Sequence, residues 1–209
     1  MLRAESDGWP LQTCLEGFSR VLPLPYQFGS DTQAALAGFR TDLHWDLLSP
    51  FSCGKLFLMK LSDLFSNYFT VRAELVKAVQ DLTQEQLDWT PPNHLASIGK
   101  LLAHIAECEY AWITCLALKK EASPDFTRFE KARTLREILA LLDQYHTEFT
   151  EYLSAEDIED WDRIFYQFPE STEKVSKRWL VWHVVEHQAR HRGQIFMLMR
   201  MQGIEVPNV

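Results

Sequence analysis

From Met59 onward, apolar residues recur at intervals of three and four through four long segments, and no other feature restricts the possible folds so tightly. In MKLSDLFSNYFTVRAELVKAV the repeat runs through Leu61, Leu64, Phe65, Tyr68, Leu75, Val76 and Val79. A second segment opens near Ser97 and carries Ile98, Leu101, Leu102, Ile105, Cys108, Trp112 and Cys115. The third begins at Thr134, with Glu137 three residues on as a capping box, and continues through Ile138, Leu142, Tyr145, Phe149 and Leu153. The fourth runs from about Val175 to Met201 and stops at Gly203. Four amphipathic helices of about 18 to 27 residues bury their apolar faces together only as a bundle. The expected fold is therefore all-α, a four-helix bundle. DLTQEQLDWTPPN reads as a turn broken at Pro91 and Pro92, and SAEDIEDWDRIFYQFPES admits a short hairpin before the fourth helix.

Residues 1–58 are different in kind. They hold Gly8, Gly17, Gly29, Gly38 and Gly54 together with Pro10, Pro23, Pro25 and Pro50, and no long apolar period survives between these breakers. We read 1–58 as an irregular extension, or as sequence upstream of a true start at Met59, and 59–209 as the folded domain. Of the four cysteines, Cys108 and Cys115 lie in an apolar helical stretch and none form a C-x-x-C pair, which points to reduced core thiols and a cytoplasmic location. No apolar run approaches the roughly 18 to 20 residues of a membrane span. A formal net charge of -8 argues against a nucleic-acid surface, because phosphates select clustered Lys and Arg.

The fourth helix carries His183, His187 and His191 at intervals of four in WHVVEHQARHRGQIFMLMR. Residues i and i+4 of a helix lie about 40° apart and about 6 Å along the axis, so two such imidazoles can converge on one ion. The outer two, His183 and His191, are about 12 Å apart along the axis and do not readily share one. The candidate pairs are thus 183/187 and 187/191. Leu180, Val184, Leu198 and Met201 fall on the same side as His187, so this side is expected to face the core. The opposite side is apolar too, with Trp182, Val185 and Phe196, which suggests cover by a second copy in a homodimer or by residues 1–58. A third ligand must come from another helix, from either His104 or His146, both on apolar stripes. A single core-facing histidine is usually a hydrogen-bonded structural residue, but several unmetallated ones would each need a buried partner to avoid a cost of about 1 to 3 kcal/mol. HVVEH also matches the H-x-x-E-H pattern of inverted zinc peptidases, in which His183 and His187 are ligands and Glu186 the general base.

SIGKLLAHIAECEYAW, followed later by VVEHQARHRGQI and preceded by DWTPP, resembles the DinB-like metalloprotein family over about residues 60–203. The resemblance implies a bundle, often dimeric, with a three-histidine divalent metal site, and assigns the ligands to His104, His187 and His191. His183 then borders the site, Glu109 matches an acidic position that orients a ligand, and Gln194 and Arg192 serve packing or ligand orientation. Three neutral imidazoles leave zinc or nickel, or alternatively iron or manganese, an open position and the full charge of the ion. By resemblance to the family's thiol-dependent members, the expected activity is transfer of a low-molecular-weight thiol to an electrophilic substrate. A non-catalytic metal-binding bundle is the alternative, and the H-x-x-E-H peptidase a further one.

Overall fold

A computed structural model describes residues 60–92, 96–121, 124–156, 161–167 and 174–207. The readings made for residues 1–58 and for a start at Met59 lie outside the described residues. In chain order the elements are α1 (Leu61–Leu64), α2 (Ser66–Val79), α3 (Gln84–Asp88), α4 (Ile98–Glu109), a π-helical continuation (Tyr110–Ala117), α5 (Thr127–Lys131), α6 (Leu135–Ala155), β1 (Ile164–Gln167), β2 (Lys174–Ser176) and α7 (Lys177–Met201).

The long helices α2, α4, α6 and α7 form the bundle. α4 lies against both α6 and α7, and α2 against α7, while Tyr68 of α2 meets Phe149 of α6 edge-on at 5.0 Å between ring centroids. This order places α2 diagonally opposite α4. The core fills the space between them with Leu75, Ile98, Leu102, Ile105, Leu142 and Ile195, each removed from water and each contributing about 1.5 to 3 kcal/mol by burial.

The helix ends follow local chemistry. Thr134 caps α6, its hydroxyl accepting from the Glu137 amide at 3.3 Å while the Glu137 carboxylate accepts from the Thr134 amide at 2.9 Å. The same device, Thr83 with Gln86, starts α3 inside the stretch expected to be a turn. α7 closes in a Schellman motif: Gly203 takes φ +74°, its amide donates to the Arg200 carbonyl at 3.0 Å, and Ile204 donates to Met199 at 3.0 Å. The admitted hairpin is present, β1 pairing antiparallel with β2. Because Lys174–Ser176 belong to β2, α7 begins at Lys177, two residues later than its periodicity suggested, where Ser176 accepts from the Trp179 amide at 3.1 Å.

Two positions on α7 differ from the expected faces. Met201 is 54% exposed in the last turn of α7 rather than in the core, and Phe196 is buried at 2% although its angle set it on the outer side. Trp182 does stand outward, 61% exposed. Among the described residues no helix is long and apolar enough to cross a membrane.

Candidate metal centre

α4 and α7 pack side by side, and the contact between them is where three imidazoles meet. His104 projects from the middle of α4, and His187 and His191 from successive turns of α7. His187 Nε2 lies 3.2 Å from His104 Nε2 and 3.1 Å from His191 Nε2. All three donor atoms fall within 4.8 Å of one another. His187 and His191 are buried, whereas the His104 side chain is 26% exposed.

The outward nitrogens are held as well. His104 Nδ1 donates to the Glu107 carboxylate at 2.9 Å, and His191 Nδ1 donates to the Gln194 amide oxygen at 2.6 Å. Each bond sets its ring's proton on Nδ1, so both Nε2 atoms present lone pairs inward. His187 Nε2 can satisfy at most one of them as a donor. A cation at the centre satisfies all three at once.

The donor set fits such an ion. For bonds of about 2.0 to 2.1 Å at a tetrahedral angle, neighbouring nitrogens stand about 3.3 Å apart; the two pairs that share His187, at 3.1 and 3.2 Å, match this. The His104–His191 pair, within 4.8 Å, closes on an ion by a small turn of the partly exposed His104 ring. Protonation favours the same state. Burial pushes His191 down to about 4, helped by the nearby His104. Burial likewise holds His187 well below the ordinary imidazole range, with His191 and His104 adding to the effect. Near neutral pH these two rings are therefore uncharged and able to coordinate.

The remaining candidates are placed apart from this cluster. His183 stacks on Trp179 with ring centroids 4.7 Å apart, meets Trp112 at 5.0 Å, and its ring centroid stands 5.8 Å from that of His187. It borders the site without joining the group of three. His146 turns to α2, its Nδ1 3.4 Å from the Tyr68 hydroxyl. Glu186 pairs with Arg190 on the outer side of α7, so the H-x-x-E-H arrangement is not assembled. Arg192 pairs with Glu74 at 2.7 Å and fastens α7 to α2. Cys108 and Cys115 are buried and form no disulfide, and burial pushes Cys115 up to about 11.

Glu109 requires a correction. It reaches no histidine of the cluster; its carboxylate accepts from Tyr68 and pairs with Arg72 across the bundle axis. Burial raises its pKa while the Arg72 charge opposes the rise. The carboxylate that does hold a ring of the cluster is Glu107, bonded to His104 and missed by sequence reasoning. Its signal was available: Glu107 follows His104 by three residues, as Gln194 follows His191, and i,i+3 neighbours share a helix face.

The DinB family model matches residues 58–209. Among solved structures, a DinB-like protein from Bacillus cereus superposes with a TM-score of 0.58 at 23% identity, over 72% of this chain and 97% of that one. A DinB-like protein from Bacillus subtilis gives 0.53 at 19% identity, over 70% of this chain and 96% of that one. YfiT from Bacillus subtilis, described as a probable metal-dependent hydrolase with an unusual four-helix bundle topology, gives 0.55 at 22% identity, over 69% and 89%. No curated protein matches the sequence.

Proposed function

The chain belongs to the DinB family, and from that premise we propose that it is a metal-dependent transferase that joins a low-molecular-weight thiol to an electrophile. The observation that carries the reading is the convergence of three inward lone pairs from His104, His187 and His191. These residues would hold a divalent ion, zinc or nickel in the first place and iron or manganese as alternatives. Such an ion, when bound, supplies a Lewis acid with an open position at which a thiol ionises near neutral pH.

The chain's own groups favour sulfur over water as the nucleophile. Hydrolysis draws on a nearby side chain to carry protons between attacking water and leaving group. Here Glu107 is committed to His104 and Glu186 to Arg190. A thiol needs less assistance, since its proton leaves more readily and passes to solvent. Its sulfur then forms a bond to the electrophilic carbon as the leaving group departs with the bonding pair. His187 and His191 exclude bulk water from one side, and His104 borders the open side.

The description of YfiT as a hydrolase supports a second reading, in which the same site acts on an ester or amide with water. One experiment separates the two. The zinc- or nickel-loaded protein is given 2-mercaptoethanol with 1-chloro-2,4-dinitrobenzene, and separately p-nitrophenyl acetate without thiol. Metal-dependent conjugation that is lost in His187→Ala supports the transferase. Ester cleavage alone supports the hydrolase, and a metal-loaded protein inert in both assays is a non-catalytic metal-binding bundle.

A further inference from the structure

Three side chains inside the bundle carry buried polar atoms that have no hydrogen-bond partner among the described residues: Nε and Nη1 of Arg72, Oε2 of Glu109, and both the oxygen and the nitrogen of the Gln188 amide. Arg72 is 4% exposed, and Glu109 and Gln188 are 1% exposed. Arg72 of α2 and Glu109 of α4 pair across the axis, and the Tyr68 hydroxyl donates to the same carboxylate. These contacts use only Nη2 of the guanidinium and Oε1 of the carboxylate. Gln188 reaches this layer from α7. Four residues on, Arg192 bonds Glu74 of α2 at 2.7 Å, and residues i and i+4 share a helix face, so Gln188 is turned to α2 as well. The two helices run the same way, because Tyr68 clusters with Val181 and Val184, and Leu75 and Val79 with Ile195 and Met199. Arg72, between Tyr68 and Leu75, is therefore level with Gln188, between Val184 and Ile195.

We propose that Arg72, Glu109 and Gln188 bind internal water, at least one molecule, in a closed polar chamber on the bundle axis. Buried polar groups are rarely left bare in folded proteins. Internal waters serve those that the chain does not pair, with about two to four hydrogen bonds each. The open groups match water in kind: the guanidinium offers only donors, the carboxylate only acceptors, and the amide both. One molecule accepts from Arg72, donates to Glu109, and keeps a hydrogen and a lone pair for Gln188. An ion suits the chamber less well, because the charges of Arg72 and Glu109 cancel and an ion of either sign meets a like charge. Leu75, Val184 and Ile195 are buried apolar residues around the layer, so a molecule held there exchanges only when the bundle opens. This inference is independent of the metal and of the reaction proposed above.

The test uses full-length, isotope-labelled protein treated with a chelator, so that no metal-bound water contributes. In NMR spectra, water protons are expected to show nuclear Overhauser contacts to the Arg72 Nε–H and to the Gln188 amide, with the sign of a long-lived bound molecule. The same contacts persist in Tyr68→Phe, which separates water from a proton relayed through the hydroxyl. Magnetic relaxation dispersion of the solvent registers slowly exchanging water independently, and its amplitude falls by about one molecule or more in Gln188→Leu. If that variant does not fold, the spectra of the wild-type protein and of Tyr68→Phe decide. Absence of the water contacts, their loss in Tyr68→Phe, or a direct hydrogen bond between Gln188 and Glu109 detected by scalar coupling overturns the inference. An unchanged amplitude in folded Gln188→Leu overturns it as well.

Discussion

At the scale of single residues, the centre is defined by which nitrogen carries the proton. Glu107 and Gln194 fix that choice for His104 and His191, so under the proposed reading they would tune the two rings without touching the ion. Partners of this kind typically contribute 10- to 100-fold in metal affinity. Glu107→Ala and Gln194→Ala are each expected to weaken binding by about that factor in a chelator competition titration; unchanged affinity would mean the rings orient themselves. His183→Ala and His146→Ala are expected to retain metal, since neither ring joins the cluster. The spacing of four between His187 and His191 was legible in the sequence because helix geometry alone brings such rings together. Periodicity alone did not choose His104 over His146, since both sit on apolar stripes; the resemblance carried by SIGKLLAHIAECEYAW named His104, and the packing of α4 against α7 is what brings that ring to His187. Glu109 was misread for a related reason. Its acidic character is evident, but its partners Tyr68 and Arg72 come from a helix that periodicity cannot place.

At the scale of the elements, the helices with long apolar repeats were legible, and their ends were legible where a cap is encoded locally, as at Thr134 and Gly203. The short helix α3 escaped notice because the prolines after it masked the Thr83–Gln86 box. The π-helical segment was not legible as such, because Trp112 and Cys115 continue the three-and-four repeat of an ordinary helix. In it Leu118 donates to the Ile113 carbonyl at 2.8 Å, one residue further back than an α-helix allows, and Lys119 at φ 53° ends the run. Between α2 and α4 the buried pair Arg72–Glu109 spans the bundle axis. Removing one partner leaves an uncompensated charge, so Arg72→Met or Glu109→Leu alone is expected to cost about 3 to 5 kcal/mol in urea unfolding. The double variant should recover much of that loss. Additive losses would show that the two side chains are not coupled.

At the scale of the whole molecule, several buried neutral histidines tie stability to pH. Burial pushes His146, His183 and His191 down to about 4, against an ordinary value of about 6.5 in the unfolded chain. As pH falls below about 6.5 the unfolded chain takes up protons that the folded one refuses until about 4. Stability of the metal-free protein is therefore full above this window and declines through it, by up to about 1.4 kcal/mol per pH unit for each histidine. A bound ion adds stability by mass action while protons compete for its ligands. Thermal unfolding followed from pH 7 downward should show the chelated protein weakening first and the loaded protein at lower pH; coincident profiles would contradict the coupling. The central claim, that three imidazoles from α4 and α7 hold one ion, is tested most directly by elemental analysis of natively purified protein and its single-histidine variants. The account predicts about one equivalent of a divalent metal per chain, absent from His104→Ala, His187→Ala and His191→Ala alike. Metal-free native protein, or full metal content in all three variants, would contradict it.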